Sequence, residues 1–210
     1  GLRAAESRNL TVYDFQALVF DRSEPMRLVP LRVLGKGNKM RTVSVPVWLV
    51  LEILNYIDHE RAEAMAARAA GSRQGKKRLN PHPGLWVNPV GSGGVVGSHT
   101  SKRALQDAFT KAVRTAGLVE IIQKTDPEIG QVYFEQQPRF SLHDLRHTFA
   151  VWTYYARRRQ GDSEPWIYIQ KQLGHQDLDT TMNTYLRIVG EFENVVSDAI
   201  AQHFNEIRSE

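Results

Sequence analysis

Ser141-Leu142-His143-Asp144-Leu145-Arg146-His147-Thr148-Phe149-Ala150 is the stretch from which the rest of the chain can be read. Ser141 can accept the first unpaired N–H groups of a helix, and Asp144, three residues on, completes a capping-box pattern. Leu142, Leu145, Phe149 and Trp152 recur at helical spacing and give the predicted helix an apolar stripe. His143 and Arg146, three apart, share one face near the helix start. An imidazole and a guanidinium at a helix N-terminus are well made to hold a phosphate.

Toward the C-terminus, Gly161 to Pro165 breaks the chain before a short predicted helix, Trp166 to Leu173, which Gly174 stops. His175 follows that glycine. Ten residues later comes Thr184-Tyr185-Leu186, inside a second short predicted helix over 179–187. Phe192 to Ile207, with Val195, Val196, Ile200 and Phe204 on one stripe, predicts a final amphipathic helix.

Toward the N-terminus, residues 11–46 read as short strands separated by turns. Val12, Phe15, Leu18, Val19 and Phe20 are β-formers, and Leu28 to Leu34 forms a second run in which Pro30 demands an edge position or a delayed start. Gly35-Lys36-Gly37-Asn38-Lys39 is a tight reversal, and Arg41-Thr42-Val43-Ser44-Val45 alternates as the returning strand, so Lys36 sits at a hairpin tip. Pro46 opens a helix carrying Val47, Val50, Leu51, Leu54 and Ile57, continuing through the alanine-rich 62–70 region. Residues 71–94 read as loop with one short strand at Leu85-Trp86-Val87, and a helix is expected over about 100–116. Residues 118–139 fit no single pattern. The fold class is therefore mixed, mainly α, with a small antiparallel β-sheet near the N-terminus.

The 210 residues suffice to bury a real core, and their 41% hydrophobic and 24% charged content is that of a globular chain. No run approaches the roughly 20 apolar residues of a membrane span, and the first residues carry no signal-peptide pattern. With no cysteine, disulfides, thiolate metal sites and a cysteine nucleophile are excluded. The net charge of +4 leans toward a polyanionic partner. Two basic clusters strengthen that lean: Arg73, Lys76, Lys77 and Arg78, and Arg157-Arg158-Arg159. Each taken alone reads equally as a solvated surface.

In order along the chain these segments resemble the boxes of the tyrosine site-specific recombinase (phage integrase) family, in its catalytic domain. Gly1-Leu2-Arg3-Ala4-Ala5-Glu6 looks like the first-arginine box, and Leu34 to Arg41 like the lysine hairpin. Leu142 to Ala150 is similar to the His-x-x-Arg box at nearly every position. Leu173-Gly174-His175-Gln176-Asp177-Leu178-Asp179-Thr180-Thr181, followed by Tyr185, looks like the histidine and tyrosine boxes. Tyr185 lies one residue further from its histidine than in the commonest family spacing, and insertions are indicated around 60–80 and 118–138.

The resemblance implies DNA cleavage and rejoining through a 3′-phosphotyrosine at Tyr185, for a phage or mobile element. Fixed guanidinium donors stabilise charge building on non-bridging phosphate oxygens; Arg3 and Arg146 are the candidates, assisted by His143 and His175. A free tyrosine has a pKa of about 10, so nearby cations must favour its phenolate, with His143 able to accept the proton. The leaving 5′-oxygen needs a proton, which the resemblance assigns to Lys36. Lys39, Arg41, Arg73, Lys76, Lys77 and Arg78 are candidate DNA contacts. No cofactor or metal is expected, since the phosphotyrosine conserves the bond energy.

Residues 1–210 are expected to form one catalytic domain, lacking the preceding catalytic helices and the N-terminal DNA-clamping domain of such enzymes. The expected partners are double-stranded DNA at specific sites and further copies of the chain, in a tetramer joined through residues 192–207; the expected compartment is the cytoplasm and nucleoid. A type IB topoisomerase uses similar catalytic groups but relaxes DNA and commonly carries different boxes around them; two further alternatives stand beside this reading. One is a catalytically inactive DNA-binding module. The other is a zinc hydrolase using His143 and His147 at helical spacing, against which stand Asp144 in place of a general-base glutamate and the cationic Arg146.

Overall fold

The computed structural model describes residues 1–72, 82–175 and Tyr185. They fall into two compact units: Leu2–Asp144, and Gly1 with the described part of Leu145–Glu210.

In the first unit the sequence's clearest alternation becomes a hairpin. Strands β1 (Leu28–Leu34) and β2 (Met40–Pro46) pair antiparallel, with Val29 opposite Val45 and Leu31 opposite Val43. Residues directly opposite share a face, so Val29, Leu31, Val33, Val43 and Val45 all turn inward. Pro30 sits within β1, which among the described residues pairs with β2 alone; an edge strand tolerates a missing N–H. The buried face packs with Leu10, Val12, Phe15, Val47, Val50, Ile53, Ile57 and Leu85 into one apolar core.

Residues 11–20 correct the expectation of a strand. After α1 (Ala4–Arg8), Val12–Gln16 forms a second short helix, α2. The reason is local: Asp14 Oδ2 accepts from both Thr11 N (2.7 Å) and Thr11 Oγ1 (2.9 Å), closing the helix start. Val12 and Phe15, three apart, then bury on one side. The helix predicted after Pro46 is present as α3 (Val47–Tyr56) and α4 (Ala62–Ser72), joined through a π-helical turn at Ile57–Arg61.

Residues 82–94 are irregular apart from a 3-10 turn, as expected; of the short strand expected at Leu85-Trp86-Val87 there is one isolated bridge, Val87 to His99, and Gly84 just before it bridges Thr11. The loop is tied down by cations on neighbouring carbonyls. Arg61 donates to Gly84 O (3.2 Å) and His82 O (2.9 Å), and Arg68 donates to Gly97 O (2.9 Å). Helix α5 (Lys102–Thr115) follows, capped by Ser101 Oγ, which accepts from Ala104 N at 3.0 Å.

The stretch 118–139, unassigned by pattern, is a second antiparallel hairpin, β3 (Val119–Thr125) with β4 (Val132–Pro138). Ile121, Val132 and Phe134 lie on one of its faces and are exposed, Ile121 and Phe134 to about 70%.

Helix α6 (Asp144–Arg159) starts where the capping pattern places it. Asp144 Oδ2 accepts from Ser141 N (2.7 Å) and Ser141 Oγ (2.8 Å). Its buried face is not the predicted stripe. Leu145 is exposed and Trp152 is 74% exposed, whereas Arg146 and Ala150 are buried. Helix α7 (Pro165–Leu173) runs as predicted, with proline in its first turn and Gly174 in the left-handed region (φ 65°) at its end. Trp166, Ile169 and Leu173 of α7 form the second unit's core with Ala150 and Tyr185, and Phe149, Val151, Tyr154 and Tyr155 pack around it. Arg157 joins α6 to α7, bonding Asp162 at 2.5 Å and covering the Tyr168 ring at 4.2 Å. Among the described residues, no helix is long and apolar enough to cross a membrane.

Candidate active site

The candidate residues divide between the two units. In Leu2–Asp144 the organising group is Glu6, a residue to which sequence reasoning gave no role. Its carboxylate, on α1, is 4% exposed. It accepts from Arg3 N (2.7 Å) and Arg3 Nη1 (3.0 Å) across the first turn, and from Arg41 Nη2 (2.7 Å) on β2. Burial by itself pushes a carboxyl upward, but the Arg3 and Arg41 hydrogen bonds and the Arg41 charge outweigh it and hold Glu6 below its ordinary value. Glu6 is thus a fixed anion that ties the start of α1 to the hairpin. The signal for it was present as an acid three residues after Arg3 in a helix's first turn.

Arg3 is half-buried and held at its root by that carboxylate. Arg41, expected as a DNA contact, is turned inward on Glu6, with its side chain 12% exposed. Lys39, the neighbouring candidate, is exposed. Lys36 begins the turn Lys36–Asn38 that links β1 to β2, where Gly37 (φ 72°) and Asn38 (φ 60°) adopt left-handed backbone and Gly35 N donates to Lys39 O at 2.8 Å. Two successive left-handed residues need a glycine and a side chain such as asparagine that tolerates that region. His143 is exposed, immediately before α6 begins.

In the other unit Arg146 is 2% exposed. Its Nη1 donates to Gly1 O at 2.7 Å and its Nη2 to Leu173 O at 2.5 Å. Leu173 ends α7, where the last carbonyls lack intrahelical donors and carry the negative end of the helix dipole. The guanidinium therefore caps α7, and this explains how a cation occupies the buried face of α6. Just past that end, the backbone N–H groups of Gly174 and His175 both return to Gln170 O, at 2.8 and 3.2 Å, fixing the turn that carries His175.

Tyr185 is 1% exposed. Its ring lies parallel to that of His175, with 6.2 Å between centroids and 6° between planes. The ring of His147 is also against it, at 5.4 Å between centroids and a tilt of 59°. The structure thus brings Arg146, His175 and Tyr185 into one unit, together with His147. Among the described residues no cluster of three or more His, Asp or Glu side chains converges as metal ligands. Arg73, Lys76, Lys77 and Arg78, and the predicted helices over 179–187 and 192–207 apart from Tyr185, lie outside the described residues.

No curated protein matches the sequence. Among solved structures, the chain resembles a crystal structure of the XerH site-specific recombinase bound to a palindromic difH substrate in a post-cleavage complex. That match has a TM-score of 0.50 and 19% identity, covering 93% of this chain and 41% of that one. A pre-cleavage complex of XerH with difH gives a TM-score of 0.48 and 21% identity over 86% of this chain and 38% of that one. The chain spans about two-fifths of the length of these neighbours. The sequence profile of the phage integrase family matches residues 1–190, nearly the whole chain, and with the arginine, lysine-hairpin, His-x-x-Arg and tyrosine segments all inside that span, the chain belongs to the phage integrase family.

Proposed function

We propose that the chain is the catalytic domain of a tyrosine recombinase, which cleaves and rejoins DNA at specific sites for a phage or mobile element. The observation that carries this reading is the seat of Tyr185. A tyrosine flanked by the His175 imidazole belongs to the same unit as a buried arginine that caps the helix leading to that histidine.

In the proposed step, the Tyr185 phenolic oxygen attacks phosphorus, forming a tyrosine–phosphate bond, while the bond from phosphorus to the 5′-oxygen breaks. The phenolic proton passes to His143 and a proton from Lys36 goes to the departing 5′-oxygen. Arg3 and Arg146, with His175, stabilise the charge that builds on the non-bridging oxygens. The bond energy stays in the 3′-phosphotyrosine, so rejoining by a 5′-hydroxyl is the reverse displacement and draws on neither ATP nor a metal. Lys39, Arg73, Lys76, Lys77 and Arg78 are proposed phosphate contacts. Arg41 is better read as a support for Glu6, which in turn holds Arg3. Assembly on DNA as a homotetramer through residues 192–207 belongs to the same proposal.

The test is covalent trapping on nicked suicide DNA in EDTA, comparing the chain with Tyr185→Phe. A DNA adduct that survives denaturation and is lost in the Phe variant is expected. DNA binding without an adduct would favour an inactive binding module, and an adduct persisting in Tyr185→Phe would move the nucleophile elsewhere.

A further inference from the structure

Of the two imidazoles against Tyr185, His147 approaches more closely, and its part is unaccounted for by the proposed chemistry. It directly follows Arg146 on α6, so successive side chains of one rigid helix reach two different targets. Arg146 reaches the α7 end and His147 reaches the tyrosine ring. A separation of 5.4 Å with a 59° tilt puts the two rings in aromatic contact at a defined angle, so the contact bears on orientation as well as distance. The His175 ring lies parallel to that of Tyr185 at the longer separation of 6.2 Å.

We propose that His147 is a positioning residue for the nucleophile. Its ring sets the tilt of Tyr185, and with it the line along which the phenolic oxygen meets phosphorus. The role rests on the reading of Tyr185 as nucleophile. It differs from the role proposed for His143, which handles a proton. Attack on phosphorus requires near in-line approach, and a misplacement of roughly 1 Å costs on the order of 100-fold in rate.

The experiment measures single-turnover adduct formation at saturating enzyme for the full chain and for His147→Ala, His147→Phe and His147→Gln, with DNA affinity and thermal midpoint recorded alongside. His147→Ala is expected to slow cleavage by about 10- to 100-fold while DNA affinity stays within about twofold, because the ring lies on the nucleophile and not on a phosphate contact. His147→Phe keeps a ring of similar outline and is expected to restore most of the rate. His147→Gln, which keeps polar atoms but no ring, is expected to stay slow. A substrate with a 5′-bridging sulfur discriminates further, since a thiolate leaves without a proton. It should rescue Lys36→Ala and leave His147→Ala slow.

Cleavage by His147→Ala at the wild-type rate would overturn the proposal. So would a Phe variant as slow as Ala beside an active Gln variant, which would assign the histidine to proton or hydrogen-bond chemistry. If His147→Ala unfolds, the Phe and Gln variants carry the comparison alone. Absence of an adduct from the wild-type chain is a separate result: it would remove Tyr185 as nucleophile, and the positioning role with it.

Discussion

Arg146 Nη2 donates to the Leu173 carbonyl at 2.5 Å, so one guanidinium on α6 caps the C-terminal end of α7 while its Nη1 holds Gly1 O at 2.7 Å. The two terminal nitrogens of one guanidinium thus serve two separate carbonyls, and the turn bearing His175 begins at the capped end.

Arg146→Lys therefore tests a geometry rather than a charge. An ammonium has rotatable point donors on a flexible stem and cannot hold two carbonyls in the guanidinium plane. Each lost hydrogen bond from a buried charge costs about 1.5–3 kcal/mol. Adduct formation should fall by about 100-fold or more, and the thermal midpoint should drop by several degrees at about 2–4 °C per kcal/mol. Cleavage within threefold of wild type would remove Arg146 from both its structural and its phosphate-binding assignment.

Glu6 makes a prediction in pH. Its folded-state pKa is below the ordinary carboxylate value, because the Arg3 and Arg41 interactions overcome burial. The native state then binds fewer protons than the unfolded chain, so the stabilisation is fully present above about pH 4.3 and is lost as pH falls through the folded value. Glu6→Gln keeps the volume and removes the charge, at a cost of about 2 kcal/mol near neutrality. The gap in thermal midpoint between wild type and Glu6→Gln should be several degrees at pH 7 and should close on acidification below about pH 4.3. A gap independent of pH would mean that the carboxylate's charge is not what stabilises the hairpin against α1.

Particular residues show how far the sequence could be read. Ser141 and Asp144 start α6 as their spacing demands, because capping is decided within four residues. Val29, Leu31, Val33, Val43 and Val45 alternate because one face of the β1–β2 hairpin is buried and the other is wet. Val12–Gln16 escaped because five residues are too few to show a period, and a β-branched residue beside an aromatic favours strand by propensity alone. The β3–β4 hairpin escaped because one face, with Ile121 and Phe134, is largely exposed, so burial never imposes an alternation on its sequence. The stripe on α6 was misjudged at Arg146, since a charge is assigned to solvent until a buried carbonyl at the end of another helix is known to await it. For the candidate site, Arg146, His175 and Tyr185 stand out in the sequence as residue types in order, and the fold places the three in one unit. Glu6 carries a local signal three residues after Arg3, but its tie to Arg41 is made 35 residues away, and the contact of His147 with the Tyr185 ring is set by tertiary packing that spacing does not show.

Gly37 tests the tip that carries Lys36. Its φ of 72° is unfavourable for any residue with a Cβ, yet a Cβ built there meets nothing within 4 Å. The cost of substitution is thus conformational rather than steric, about 1–2 kcal/mol. Gly37→Val should loosen or redirect the turn and slow adduct formation by about tenfold, with DNA affinity little changed. Gly37→Asn, whose side chain tolerates left-handed backbone, should remain near wild type. Equal rates for the Val and Asn variants would show that the backbone of this turn does not govern Lys36.

His82 closes the loop that returns toward α5, with its Nε2 3.0 Å from Gly97 O and its ring 5.5 Å from that of His99. Burial lowers its pKa, the bond to Gly97 O opposes that, and His99, Arg68 and Arg61 lower it further. A histidine depressed in the fold binds fewer protons than in the unfolded chain. Its contribution is therefore fully present above about pH 6.5 and is lost as pH falls below that value. His82→Gln, which can keep a hydrogen bond but takes up no proton, should be modestly less stable than wild type at pH 7.5. The difference should narrow or reverse by pH 5.5, because only the wild type must then carry or expel a proton beside Arg61, Arg68 and His99. Thermal midpoints of the two proteins across pH 5–8 measure this. A gap that widens toward acid would mean that protonated His82 is welcome in its seat, against the burial and the three cationic or titratable neighbours that surround it.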